Sequence, residues 1–255
     1  MNIHQKRIVQ ATELVAQRQH IVAFTGAGIS TASGIPDYRS PNSGLWENAD
    51  PMTVASIFGF RQNPQAFYNW VRPLTETILN ARPNAAHVAL AQLETAGKLQ
   101  AIITQNIDML HNRAGNKNVF ALHGHMREAT CIQCFAIVPG QPIIHKFIAD
   151  GKVPYCEECG GVLKPNVILY GEQLPARVFQ AAEKAARHSD LFIVIGSSLE
   201  TGPANQLPYL AHRSGAAIIV VNREPTPADD IAEVVIQANA EEVLPAIIRQ
   251  IGAAS

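Results

Sequence analysis

A doubly wound α/β fold, a Rossmann-like parallel sheet with helices on both faces, is what this sequence predicts, interrupted by a small helical module and by a separate four-cysteine insert. Three observations predict it. Short apolar runs alternate with helical stretches, the first run ends in the glycine-rich turn Thr25-Gly-Ala-Gly-Ile-Ser30, and four cysteines stand as two CxxC pairs. With 255 residues, 47 % of them hydrophobic, the chain can bury a large core.

Taken in order, the N-terminal twenty residues are polar and helix-periodic, without the apolar stretch of a signal peptide. Ile21–Phe24 then reads as a buried parallel strand. Residues 39–82 interrupt the alternation with a Pro-, Asn- and Gly-containing loop and helical stretches at Thr53–Phe60 and Pro64–Thr77. A helix over Ala85–Glu94, a strand over Ala101–Thr104 and the short apolar run Val119–Leu122 follow. Arg127–Leu163 carries all four cysteines and no long helix, so it reads as an insert. Strands at Asn166–Tyr170, Leu191–Ile195 and Ala217–Val221 come next, with helices at Ala176–Arg187, Gln206–Arg213 and Ala240–Ile251. The alternation thus covers 1–38, 80–126 and 164–255, with a loop and helical module (39–79) and a cysteine-bearing module (127–163) set into it.

The formal net charge is −1 and the pI about 6.8, which leaves no electrostatic footprint for nucleic acid or an anionic membrane. No apolar run approaches the roughly 20 residues that span a bilayer. A soluble, cytoplasmic protein is expected, monomeric, with no nucleic-acid or membrane partner. Without a secretion signal, the cysteines do not suit a disulfide framework.

Cys131-Ile-Gln-Cys134 and Cys156-Glu-Glu-Cys159 can each form a knuckle whose sulfurs face one point. Two knuckles supply four thiolates in a tetrahedron, which suits one structural Zn²⁺ with no open position. Gly26, Ala27 and Gly28, directly after the first strand and opening a helix, let the backbone approach a pyrophosphate. Thr31 stands where the dehydrogenase fingerprint has its third glycine, and no acidic residue ends a second strand roughly 20 residues on. Hydride transfer is therefore disfavoured, while nucleotide binding is not. In Ser33-Gly-Ile-Pro-Asp-Tyr-Arg39, a turn bearing Tyr38 and Arg39 suits a flap over a ligand, although a plain surface turn would use the same residues. Gln105, Asn106, Ile107 and Asp108 follow a strand, where ligands bind in open α/β sheets; Asp108 could equally cap the turn Met109–Arg113. His123, between an apolar run and the zinc insert, is placed to move a proton, with His125 as its local competitor.

Together these motifs resemble the sirtuins, the NAD-dependent protein lysine deacylases. The matching pieces are Gly26-Ala-Gly-Ile-Ser30, Ser33–Arg39, Pro83-Asn-Ala-Ala-His87, Thr104-Gln-Asn-Ile-Asp108, Leu122-His-Gly124, both CxxC pairs, Lys164-Pro-Asn166, Tyr170-Gly-Glu172, Gly196-Ser-Ser-Leu199 and Val221-Asn222. They cover nearly the whole chain in family order. The resemblance implies a discontinuous Rossmann-like NAD-binding domain (1–38, 80–126 and 164–255) and a small domain made of the four-cysteine zinc module (127–163) and the helical module with its cofactor-binding loop (39–79); NAD, as co-substrate, and an acylated-lysine protein or peptide would meet in the cleft between them. Gly26, Ala27, Gly28, Thr31, Tyr38 and Arg39 would border NAD. Gln105, Asn106, Ile107 and Asp108 would hold its nicotinamide ribose and carboxamide. Gly196, Ser197, Ser198, Asn222, Arg223, Glu224 and Ala240 would line the adenosine side. Ile168, Leu169, Tyr170, Gly171 and Glu172 would pair with the substrate backbone as an added strand. His123 would be the catalytic base, with Asn106 beside it. The implied products are free lysine, nicotinamide and O-acyl-ADP-ribose, with zinc taking no chemical part. A mono-ADP-ribosyltransferase using the same pocket and a non-catalytic NAD or ADP-ribose sensor remain alternatives.

The chain departs from the family at Tyr38, where Phe is usual, and at Leu169-Tyr170, where Phe-Phe is common. Sirtuins that prefer succinyl or malonyl groups resemble one another in a Tyr-x-x-Arg pair. Here Tyr68 is followed at that spacing by Val71, and Arg72 falls one place late. Acetyl or a longer apolar acyl group is therefore expected.

Overall fold

The computed structural model describes residues 3–38, 44–45 and 49–254. Helix α1 (Ile3–Gln17) buries Ile8, Ala11 and Val15, a spacing that puts all three on one face. Strand β1 (Ile21–Thr25) ends in the glycine turn, which continues as two single 3₁₀ turns, Ala27–Ile29 and Thr31–Ser33, rather than the expected helix. The helical module holds α2 (Pro51–Val54), α3 (Ile57–Gln62) and α4 (Pro64–Asn80). Thr53–Phe60, expected as one stretch, is broken because Asp50 caps α2 and Ser56 caps α3 through its hydroxyl to the Gly59 N–H, at 3.0 Å. Then come α5 (Ala85–Thr95), β2 (Leu99–Thr104), α6 (Leu110–Ala114) and β3 (Val119–Ala121). The cysteine region contains β4 (Gly124–Cys131), β5 (Ile137–Pro139), α7 (Gly140–Asp150) and β6 (Leu163–Val167). The chain closes with α8 (Ala176–His188), β7 (Leu191–Ile195), α9 (Leu207–Arg213), β8 (Ala217–Asn222), β9 (Val234–Gln237) and α10 (Ala240–Ala254). No helix among the described residues is long and apolar enough to cross a membrane.

Six strands form one parallel sheet in the order β3-β2-β1-β7-β8-β9. Successive side chains of a strand point to opposite faces, so a strand covered on both sides is apolar at every position. Ile21, Ala23, Ile193 and Ile219 pack under α1, α5 and α10. Val22, Phe24, Phe192, Val194 and Val220 pack under α8 and α9 on the other face.

The second sheet, β5-β4-β6, is antiparallel. Asn166–Tyr170, expected as another parallel strand, does not join the main sheet. The strand is Leu163–Val167, where only alternate residues Leu163, Pro165 and Val167 are buried, the pattern of a half-covered antiparallel strand. The insert also holds α7, of 11 residues, where no long helix was expected; Ile144 and Phe147 anchor it. Tyr68 of α4 packs edge-on against Phe147 of α7, centroids 4.9 Å apart, and its hydroxyl donates to the Leu163 carbonyl at 2.6 Å. The helical and zinc modules thus share one core with Phe60, Phe67, Val71, Leu74 and Leu169.

Candidate active site

In the main sheet the chain turns outward from β1 to β2 and β3 on one side, and to β7, β8 and β9 on the other. Crevices open at the carboxyl ends of strands where the order reverses. A cavity of about 830 Å³ lies there. Gly26–Gly28 reach it from β1, Gln105–Ile107 from β2, His123 from β3, Gly196–Glu200 from β7 and Asn222–Pro225 from β8. The opposite wall is the small domain, with Phe67, Trp70, Val71 and Leu74 of α4 and the segment Val167–Glu172. The glycine turn has a reason beyond ligand approach. A Cβ on Gly28 would lie 2.8 Å from the Gly196 Cα, so the loops after β1 and β7 touch backbone to backbone. The Gly28 N–H donates to the Gly196 carbonyl at 2.9 Å.

His123 Nδ1 lies 2.9 Å from the Gln105 carbonyl, which can only accept. The proton therefore sits on Nδ1, and Nε2 is left as a basic lone pair. Burial lowers the pKa of this ring below its ordinary value, against the Gln105 bond, so it is neutral near pH 7. The Gln105 side chain accepts from the Ser197 hydroxyl at 2.8 Å. Asn106 donates through Nδ2 to the Gly26 carbonyl at 3.0 Å and to Ser30 Oγ at 3.3 Å. At the far end Arg223 pairs with Asp37 of the Tyr38 turn at 3.1 Å, joining the two sides of the cleft.

Three expected cofactor residues do not line the cavity. Asp108 is buried beneath it: one carboxylate oxygen accepts the Leu110 N–H at 2.9 Å and the other the Ser30 hydroxyl at 2.7 Å, so it ties the first residue of α6 to the glycine turn. Desolvation raises its pKa despite these bonds. Thr31 turns its hydroxyl back to the Gly28 carbonyl at 3.1 Å. Ala240 is buried at the start of α10, within the core. Arg39 lies outside the described residues.

The segment Ile168–Glu172 borders the cavity, but much of its backbone is already engaged. The Ile168 N–H donates to the His123 carbonyl at 2.9 Å. Tyr170 donates to the Ala55 carbonyl and accepts from the Ile57 N–H, both at 2.9 Å. Leu169 donates to the Glu172 carboxylate at 2.8 Å, and its carbonyl accepts the Glu172 N–H at 3.0 Å. The Ile168 carbonyl and the peptide groups of Gly171 have no backbone partner among the described residues. Of the segment's peptide groups, the Ile168 carbonyl and those of Gly171 are the ones left open to a guest backbone.

The four cysteine sulfurs all lie within 4.8 Å of one another. Cys131 and Cys159 are 3.5 Å apart, Cys134 and Cys156 3.7 Å. A tetrahedron with zinc–sulfur bonds of about 2.3 Å has sulfur–sulfur edges of about 3.8 Å, so the set fits Zn²⁺. Two knuckle N–H groups, Gln133 and Gly161, point at the sulfurs of Cys131 and Cys159, each at 3.4 Å, as thiolates require.

The profile of the Sir2 family matches residues 26–203. The chain belongs to the Sir2 family. Among its Sir2 relatives, the NAD-dependent protein deacylase 2 of Archaeoglobus fulgidus is 46 % identical over 245 residues, 96 % of each chain. A structure of Sir2Af2 bound to a myristoylated histone peptide aligns with a TM-score of 0.85 at 41 % identity, over 98 % of both chains. A Sir2 structure with a deacetylated p53 peptide and 3′-O-acetyl-ADP-ribose aligns with a TM-score of 0.90 at 37 % identity, over 95 % of this chain and 98 % of that one.

His111 of this Sir2 cleft lies in no motif, and the contacts that join the motif residues to one another are not written in their spacing. Ser30 joins Asp108 to Asn106; its place at the end of the glycine turn was the only signal. Beneath the Gln105–Asp108 loop, His111 Nε2 meets the Thr25 hydroxyl at 2.9 Å, Thr25 bonds Thr104 at 2.8 Å, and the Thr104 hydroxyl accepts the Asn106 N–H at 3.0 Å. No spacing in the sequence announces that chain of contacts.

Proposed function

We propose that this cleft removes acyl groups from protein lysines at the expense of NAD, releasing nicotinamide and O-acyl-ADP-ribose. The observation that carries the reading is the half-buried, neutral His123, held by the Gln105 carbonyl with Nε2 free at the meeting point of the strand ends. NAD supplies the ribose carbon to which the acyl oxygen becomes attached. Gln105, Asn106 and Ile107 are placed to orient the nicotinamide ribose, and Ser197, Ser198, Asn222, Arg223 and Glu224 to border the adenosine side. Gly26, Ala27 and Gly28 form the floor between them. Tyr38, on the turn tied down by Asp37 and Arg223, is positioned to keep water out. His123 Nε2 accepts a proton from a ribose hydroxyl. The peptide is held by the Ile168 carbonyl and the Gly171 peptide groups. Zn²⁺ on Cys131, Cys134, Cys156 and Cys159 fixes the small domain.

The acyl pocket is apolar. Phe67, Trp70, Val71 and Leu74 form its α4 wall. Arg72 donates instead to the Ile148 carbonyl and lies 3.8 Å from Glu76, so a succinyl carboxylate would find no cation from it. An unpaired carboxylate placed there loses solvation without return.

The test is a panel of acetyl, succinyl and myristoyl lysine peptides with NAD, scored for nicotinamide release. Acetyl and myristoyl substrates are expected to turn over and succinyl to lag. His123→Ala should lower kcat by about 10²–10⁴-fold, the usual range for a general base. Full activity of H123A would remove His123 from the chemistry. Transfer of ADP-ribose to protein with no acyl-lysine present would instead select the transferase alternative.

A further inference from the structure

We infer that Lys164, which does not line the cleft, is a positioning residue for substrate binding: through Glu172 it holds the Ile168–Glu172 turn in the shape that leaves peptide-binding groups open. The inference deepens the reading of the cleft as a deacylase site and rests on it.

The geometry is specific. Lys164 lies on β6 with its side chain only 11 % exposed, and Glu172 is 23 % exposed. Lys164 Nζ donates to the Val167 carbonyl at 2.7 Å and the Pro165 carbonyl at 3.2 Å, and meets Glu172 Oε2 at 3.0 Å. An ammonium has three donors, and all three are used. The same Oε2 accepts the Leu169 N–H at 2.8 Å. One carboxylate oxygen thus joins the end of β6 to the turn that follows it. Desolvation pulls the pKa of Lys164 down and Glu172 pushes it back up, so each charge makes the burial of the other tolerable.

Between those fixed points lie the Ile168 carbonyl and Gly171, the groups left open to a guest. Every bond made by the Lys164 side chain closes on residues 165–172. It makes none to the nucleotide side of the cleft. Removal of the ammonium leaves a half-buried carboxylate unpaired and frees the turn to close over its own vacant groups. A peptide must then reopen it, which raises the cost of binding peptide without altering NAD or His123.

The experiment is steady-state kinetics on the zinc-loaded full chain, varying acetyl-lysine peptide and NAD separately. Lys164→Met should raise the peptide KM about tenfold, the size of one lost charged hydrogen bond. The NAD KM and kcat should stay within about twofold. Lys164→Arg, which restores charge and donors, should recover most of the peptide KM. Glu172→Gln keeps an acceptor for the Leu169 N–H and loses the charge, so a rise of about threefold is expected. In the double variant the two effects should fail to multiply, as they share one interaction. A folded K164M with unchanged peptide KM overturns the inference, as do parallel losses in peptide KM, NAD KM and kcat, which would mark a merely structural staple. If K164M does not fold, an unchanged peptide KM in E172Q overturns it instead. A wild-type chain that turns over no acyl peptide overturns the reading of the cleft and this inference with it; an active wild type matched by K164M overturns the inference alone.

Discussion

The six-stranded sheet and the small cysteine-bearing sheet solve the same problem with different means. In the first, β1 and β7 are each buried at all five positions, and helices cover both faces. In the second, β5 is exposed at two of three positions, and the local core is little more than Ala129, Cys131, Cys156 and Leu163. The large sheet stands by burial; the small one has the four-cysteine cluster, fit to hold a zinc ion, and the shared core under Tyr68. The site divides along the same line. His123 and the nucleotide-side loops come from strand ends of the rigid sheet, while the peptide side hangs on a few fastenings.

Loss of one thiolate should break this contrast most sharply. Cys131→Ser is expected to cost most of a structural zinc's folding contribution, on the order of 10 kcal/mol. Hydrogen exchange should show residues 124–167 opening while Ile21–Thr25 and Leu191–Ile195 stay protected, and elemental analysis should show the metal lost. Unchanged zinc content in C131S would remove the distinction.

Acid should strike the large domain instead. Burial holds His87 down to about 4 and His111 down to about 3, so both are neutral when folded and take up protons when unfolded below pH 6.5. The unfolded chain then binds more protons, and stability falls with falling pH, by about 1.4 kcal/mol per unit for each imidazole. The loss begins near pH 6.5 and runs toward pH 4. Asp108, whose pKa is raised, works in the opposite sense and softens it. Urea titrations at pH 7 and pH 5 measure the difference; equal stabilities would contradict it.

The smallest expected effect is at the joint between modules. Tyr68→Phe removes one buried hydrogen bond to Leu163 and keeps the ring on Phe147, so a loss of about 1 kcal/mol is expected in denaturant titration. A neutral result would mean that the two modules are held by ring packing alone.

Much of this was legible in the sequence because it is local. The strands over Leu191–Ile195 and Ala217–Val221, the CxxC knuckles and the loop after β2 are each written in a few consecutive residues. The misreadings came where long-range contacts decide. Asn166–Tyr170 is apolar enough for a buried strand, yet Tyr170 is held by Ala55 and Ile57 of another module. The glycine turn forms no α-helix because Gly28 is pressed on Gly196, far along the chain at the end of β7. Helix α7 begins Gly-Gln-Pro, a poor local start, and is kept by Ile144 and Phe147.

Because both peptide groups of Tyr170 are tied to Ala55 and Ile57, the turn that borders the cavity is a seam between the helical module and the cysteine-bearing sheet. A change that loosens either one reaches the cavity wall through this stitch, so neither can be redrawn without moving the other.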